Sequence, residues 1–253
     1  DLKTAITGLS IKEGSVGIEL DGKAFEECAK LGELELNRVT SIGYYCFANN
    51  TSITEITFPQ GLKTIGNGVF LGVNTLEGDI VIPSTVTSIE ANAFNGTAIE
   101  SLTIEAGSEG LTMGSSAFAN CAKLKYADLS NRITEIGVDA FRYDPMLVWV
   151  RIADKDQPLA IYVCAFADDE RLKVISLPKK VNLIDCGAFM NSLNLKDVYY
   201  ASSQEDYNTY VTLQDLANQP YLNATLHYNS QGPDEWPSTA YTGWISAGGK
   251  DYW

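Results

Sequence analysis

His227 is the sole histidine of this 253-residue chain. Any Ser/His or Cys/His nucleophile pair would have to use it as general base, and no Gly-x-Ser-x-Gly elbow exists to present a serine. It falls in Thr225-Leu226-His227-Tyr228, which reads as a short strand, so a partly buried, hydrogen-bonded side chain accounts for it. The five cysteines are an odd number with no Cys-x-x-Cys spacing, which disfavours a zinc site. Cys164 and Cys186 sit one unit apart in the periodicity described below. A bridge between them and small buried thiols are both open readings. Glycosidases use paired carboxylates about 5 to 9 Å apart, so a carboxylate-based hydrolase is kept as a distant alternative. However, Asp168-Asp169-Glu170 and Asp234-Glu235 read as solvated loops. No Asp-x-Asp-x-Asp-Gly loop and no Gly-Gly-x-Gly-x-Asp repeat marks a calcium site. The expectation is no catalytic residue, no metal and no cofactor.

Composition narrows the partners. Eighteen Lys+Arg stand against 32 Asp+Glu, a net charge of −14, with 45% hydrophobic residues. That is enough apolar surface for a packed core. The negative balance argues against nucleic acid, whose phosphates call for clustered Lys and Arg, and against an anionic membrane surface. The longest plainly apolar run, Met146-Leu147-Val148-Trp149-Val150, is far short of the ~20 residues that span a bilayer. A monomer without membrane insertion is expected.

The elements that position these residues are set by a repeat. Eight of the nine phenylalanines, Phe25, Phe47, Phe70, Phe94, Phe118, Phe141, Phe166 and Phe189, recur at spacings of 22 to 25. A small residue usually precedes each, as in Ala93, Ala117, Ala140 and Ala165. Five residues before each lies Leu20, Ile42, Ile65, Ile89, Met113, Ile136, Ile161 or Ile184 in turn. After each come apolar pairs two apart: Leu34/Leu36, Ile56/Phe58, Ile80/Ile82, Leu102/Ile104, Ala127/Leu129, Val150/Ile152, Ile175/Leu177 and Val198/Tyr200. Spacing of two means a short strand with one buried face. Each unit thus reads as strand, turn, second extended piece and a tight helical turn carrying the Phe. One unit cannot bury its own apolar side, so units stack as coils with parallel strands and like residue over like. Eight coils at ~4.8 Å give a rod roughly 40 Å long. Pro59, Pro83 and Pro178 follow the strand pairs and end the ladder there. Gly78 and the stretch from Gly107 to Met113 break the spacing, which predicts bulged coils.

Residues flanking the buried pairs face outward. One outward column runs Glu33, Glu55, Asp79, Ser101, Tyr126, Trp149, Val174, Asp197. The next runs Glu35, Thr57, Val81, Thr103, Asp128, Arg151, Ser176, Tyr199. The first half is acidic and small. The second half gathers Tyr126, Asp128, Trp149, Arg151 and Tyr199, and exposed Trp, Tyr and Arg are the residue types enriched at binding hot spots. These five are the candidate partner-binding residues. The competing reading packs Trp149 under a neighbouring loop or the end cap.

The units Leu62-Lys-Thr-Ile-Gly-Asn-Gly-Val-Phe70, Val86-Thr-Ser-Ile-Glu-Ala-Asn-Ala-Phe94 and Ile133-Thr-Glu-Ile-Gly-Val-Asp-Ala-Phe141, with Ala117-Phe118-Ala-Asn-Cys121-Ala-Lys-Leu124, resemble the BspA-like leucine-rich repeat family. The resemblance implies a repeat solenoid of about eight coils. It also implies a secreted or cell-surface protein, mostly bacterial, acting in binding or adhesion. On that reading residues 1–20 are an N-terminal cap and first strand, 21–200 the solenoid and 201–230 a C-terminal cap. In the last of these, Ser202 to Tyr207 starts a helix, Leu213, Leu216 and Ala217 form its stripe, and Gln219-Pro220 ends it. Residues 231–253 read as a linker and the start of a truncated further domain. There, Gly243-Trp244 to Tyr252-Trp253 resembles the opening of a choline-binding-type cell-wall repeat. The expected function is a non-catalytic surface module recognising a host or bacterial protein or glycan on its sheet face. The alternative is a structural spacer of a multidomain wall protein.

Overall fold

The computed structural model describes residues 2–214 and 216–233. The linker reading, the choline-binding resemblance and Asp234-Glu235 therefore lie outside the described residues. The chain winds into a solenoid with two parallel sheets and a third side made of turns. One wall has seven strands in chain order: Glu77–Ile82, Ala98–Ile104, Tyr126–Leu129, Trp149–Ile152, Val174–Leu177, Asp197–Tyr200 and Thr225–Tyr228. The second wall has nine, from Ile18–Leu20 through Val39–Ile42 and Ile133–Ile136 to Thr212–Leu213. Gly8–Ile11 pairs with Glu33–Leu36 in a separate two-stranded ladder.

The periodic apolar residues fill the interior. Phe47, Phe70, Phe94, Phe118, Phe141, Phe166 and Phe189 are fully buried, as are Leu31, Ile42, Ile65, Leu76 and Ile136. The eight rings form one stacked column. Neighbouring centroids are 5.6 Å apart at Phe25–Phe47 and 4.9 Å at Phe94–Phe118, and Tyr221 closes the series 5.2 Å beyond Phe189. Offset stacking of this kind adds about 0.5 to 1.5 kcal/mol per pair beyond area burial.

Two departures from the expected strands have local causes. Residues 54–57 form no strand, although Ile56/Phe58 has the right spacing. Phe58 is the phenylalanine outside the series. Its ring inserts edge-on against Phe70 and Phe94, 6.1 Å from each, and Pro59 follows at once. At Gly78 the register with the next strand shifts between Gly78 and Asp79, as the extra residue predicts, and Gly78 takes φ +80°.

The turn side is more regular than a helical turn would be. The residues two before and two after each of the eight Phe have positive φ, from Lys23 and Glu27 to Gly187 and Asn191. A left-handed non-glycine residue costs roughly 1 to 2 kcal/mol. The return is an inter-coil ladder. In one coil the N–H groups of Asp139, Phe141 and Tyr143 donate to the carbonyls of Val163, Ala165 and Ala167 in the next, at 3.0, 2.8 and 3.2 Å. The same three-bond pattern recurs from coil to coil, always donating towards the C-terminal side.

The C-terminal segment corrects the sequence reading in detail. Ser203 caps a helix over Gln204–Tyr210, its hydroxyl accepting from the Asp206 N–H. That helix stops before Leu213, which instead sits in a strand paired to Val181–Ile184. Pro220 opens a second short helix, Gln219–Asn223, where its missing N–H costs nothing. Leu216, assigned to an apolar stripe, is 72% exposed. Asn218 takes over as end cap: its Oδ1 accepts from the Phe189 N–H at 3.0 Å. Thr225–Tyr228 is the closing strand, as expected.

A candidate binding face on the outer sheet wall

The parallel register lines up the outward residues of the seven-stranded wall. Asp79, Ser101, Tyr126, Trp149, Val174, Asp197 and Thr225 form one column. Val81, Thr103, Asp128, Arg151, Ser176, Tyr199 and His227 form the other. The expected columns hold from Asp79 onward. Glu33 and Glu35 lie in the separate two-stranded ladder, and Glu55 and Thr57 in no strand. His227 extends the second column, a continuation that the Leu226/Tyr228 alternation could have revealed.

All five candidate residues lie on this wall, and the Val174–Leu177 strand separates Trp149 and Arg151 from Tyr199. Their exposure differs from expectation. Tyr126 is 3% exposed and Trp149 7%. With Val148 and Val174 they form a second hydrophobic cluster, distinct from the interior, and Tyr199 packs against it half-buried. The Tyr126 and Trp149 rings lie 5.0 Å apart at 42°. The two rings pack on each other because cross-strand neighbours on one face are within reach of aromatic side chains. Trp149 is thus the centre of a covered patch, with Tyr199, Asp128 and Arg151 as its accessible rim.

The charged members are satisfied within the wall. Arg151 holds Asp128 in a two-pronged bond, Nε to Oδ1 at 2.9 Å and Nη2 to Oδ2 at 2.7 Å. His227 Nε2 lies 2.7 Å from Asp197 Oδ1, and its ring stacks on Tyr199 at 4.4 Å. This is the hydrogen-bonded histidine that the sequence suggested, and no serine or cysteine is bonded to it among the described contacts. The other end of the sheet side differs in kind. An open groove of about 570 Å³ is lined there by Glu33, Glu35, Glu55 and Ser10.

One open sequence reading is decided and one is corrected. All five cysteines are free, so Cys164 and Cys186 form no bridge. Cys164 lies two residues before its Phe and Cys186 three before its own, so they are out of phase. The position stacked on Cys164 is Gly187, where a Cβ would lie 3.6 Å from Cys164 Sγ. Asp169 is not in a solvated loop: it is fully buried beside an equally buried Asp144. Burial raises both carboxyls well above the ordinary carboxylate range; the charge of Asp169 adds to the rise at Asp144, and that of Asp168 to the rise at Asp169. Both side chains are fully buried, unlike a solvated run of carboxylates. Among the described residues no cluster of three or more metal-ligating side chains occurs, and no helix is long and apolar enough to cross a membrane.

The sequence profile of the BspA type leucine rich repeat region matches residues 3–111 and 108–214, in six copies. No curated protein matches the chain. Among solved structures, a leucine-rich repeat protein from Bacteroides ovatus is similar at 20% identity and TM-score 0.52, over 87% of this chain and 73% of that one. It shows the same fold. A leucine rich cell surface protein from Faecalibacterium prausnitzii aligns at 21% identity and TM-score 0.37, over 83% and 76% of the two chains. The pneumococcal vaccine antigen PcpA aligns at 16% identity and TM-score 0.46, over 85% and 68%.

Proposed function

Because the chain belongs to the BspA-type leucine-rich repeat family, we propose that it is a non-catalytic binding or adhesion module. It works outside the cell as a monomer and recognises a protein or glycan through the C-terminal half of its outer sheet wall. The observation that carries this reading is the ring cluster of Tyr126 and Trp149. It sits on the outer side of the sheet, separate from the interior, across neighbouring strands of a stiff wall. Tyr199 and the Arg151–Asp128 pair supply an amphipathic rim, the anatomy of a hot spot ringed by polar groups. The acidic remainder of the wall would repel acidic partners and steer basic ones.

Capture from host or bacterial surface extract, compared across the wild type, Trp149→Ala and Tyr199→Ala, tests it. The expected result is a tenfold or greater loss of capture by both variants, with each still folded by circular dichroism. Undiminished capture by both folded variants removes the face from the reading. The ring column, running through every coil, would then favour a stiff spacer.

A further inference from the structure

We propose that Asp144 and Asp169 are held in the folded protein as neutral carboxylic acids, each using its proton to bond a phenylalanine carbonyl, so that the solenoid is strengthened by acid and loosened by alkali. The inference starts from one position of the repeat, three residues after the Phe. That position holds Cys28, Asn50, Val73, Thr97, Cys121, Asp144, Asp169 and Ser192. At four of these positions the side chain donates a hydrogen to a Phe carbonyl, whereas the Cys28 thiol, in the first coil, points to Glu26. Asn50 Nδ2 donates to Phe47 and Phe25 at 2.7 and 2.9 Å, Thr97 Oγ1 to Phe94 at 2.9 Å, and Ser192 Oγ to Phe166 at 2.6 Å. Cys121 Sγ donates to Phe94 at 3.4 Å.

Ser192 shows the full pattern. Its hydroxyl donates to Phe166 of the preceding coil and accepts from the N–H of Asp169 at 3.1 Å. The two aspartates make the accepting half of the same pattern. Asp144 Oδ1 accepts from the Cys121 N–H at 2.7 Å, and Asp169 Oδ1 accepts from the Asp144 N–H at 2.9 Å. In each, Oδ2 is buried without a partner. Among the described residues no backbone N–H donates to the carbonyls of Phe118 or Phe141, the equivalents of Phe166 for these two coils. On the pattern that Ser192 sets, a proton on each Oδ2 would be the donor to these carbonyls. An ionised carboxylate would lack that donor in a fully buried site.

Among the described residues no cation acts on either carboxyl. Asp144 faces the Cys121 thiol and Asp169; Asp169 faces Asp144 and, along the chain, Asp168. Arg142, the nearby base, is turned outward onto Asp168 and Asp139. Burial pushes both carboxyls up, so the sign is fixed. The stability they confer is whole below the unfolded ionisation near pH 4. It falls as pH rises from there towards the folded-state ionisation. The two protons come off as a coupled pair.

Thermal and urea unfolding of the wild type and of Asp144→Asn/Asp169→Asn between pH 4.5 and 8.5 tests this. Asparagine offers the same acceptor and a permanent donor. The wild-type folding constant should drop about tenfold per pH unit for each carboxyl still protonated. The double variant should be flatter with pH and more stable than the wild type at pH 8. The infrared C=O stretch of a carboxylic acid should be present in the wild type at pH 7 and missing from the variant. An absent band at pH 7, or a folded variant with an unchanged pH slope, overturns the proposal. If the variant does not fold, the wild-type band alone decides.

Discussion

Rings occupy two places in this molecule. Inside, eight phenylalanines and Tyr221 stack in a column, one per coil. Outside, Tyr126, Trp149 and Tyr199 gather on one part of one wall. The inner column repeats because every coil faces the same packing problem, and the same residue solves it each time. The outer patch does not repeat: the equivalent positions one to three coils earlier hold Ser101 and Asp79. A feature that the stacking does not demand of every coil is where a specific task can be placed, and this is why the binding reading rests on the patch rather than on the column.

The contrast predicts a ranking of effects. Phe118→Ala removes a ring from the middle of the column, where no solvent side allows collapse. It should cost about 3 to 5 kcal/mol in urea unfolding; a cost below about 1 kcal/mol would mean that the column is not what holds the coils together. Trp149→Ala leaves its gap on the wall's outer side, where neighbours and water can close it. About 2 kcal/mol is expected from the same measurement, together with the loss of capture described above. A cost equal to that of Phe118→Ala would make the patch a second core and weaken its binding role. Arg151→Met breaks a partly exposed pair and should change stability by less than about 1 kcal/mol. A larger effect on capture than on stability would sharpen the division of labour.

The inner column was legible in the sequence because its period is carried by a single residue type. The outward columns followed from the alternation beside it. Alternation gave the outward direction of Trp149 but not its exposure, and both the exposed and the packed readings were open; the structure has it 7% exposed, against Tyr126, Val148 and Val174. Asp169 was misread. Its chain neighbours Asp168 and Glu170 suggested a solvated run, whereas its phase relative to Phe166 put it inside. The small, mostly polar set three residues after each Phe was the available signal. The left-handed positions were likewise marked by Asn, Asp and Gly at Asn49, Gly68, Gly72, Asn92, Gly96, Asn120, Asp139, Asp168, Gly187 and Asn191. The end segment stayed opaque because Pro220 serves as a helix start as readily as a helix stop.

The turn side has an electrostatic consequence. In each of the first six coils three amides point the same way, each onto a carbonyl of the following coil, and the Phe166 coil adds two more. Peptide dipoles so aligned add along the stack as they do in an α-helix, but with the opposite sense, since the amide-rich, positive pole lies at the C-terminal end. Asn218 meets that pole with a side-chain oxygen on the Phe189 amide. In this rod, the residue that stops the winding also does what a capping side chain does at the start of a helix.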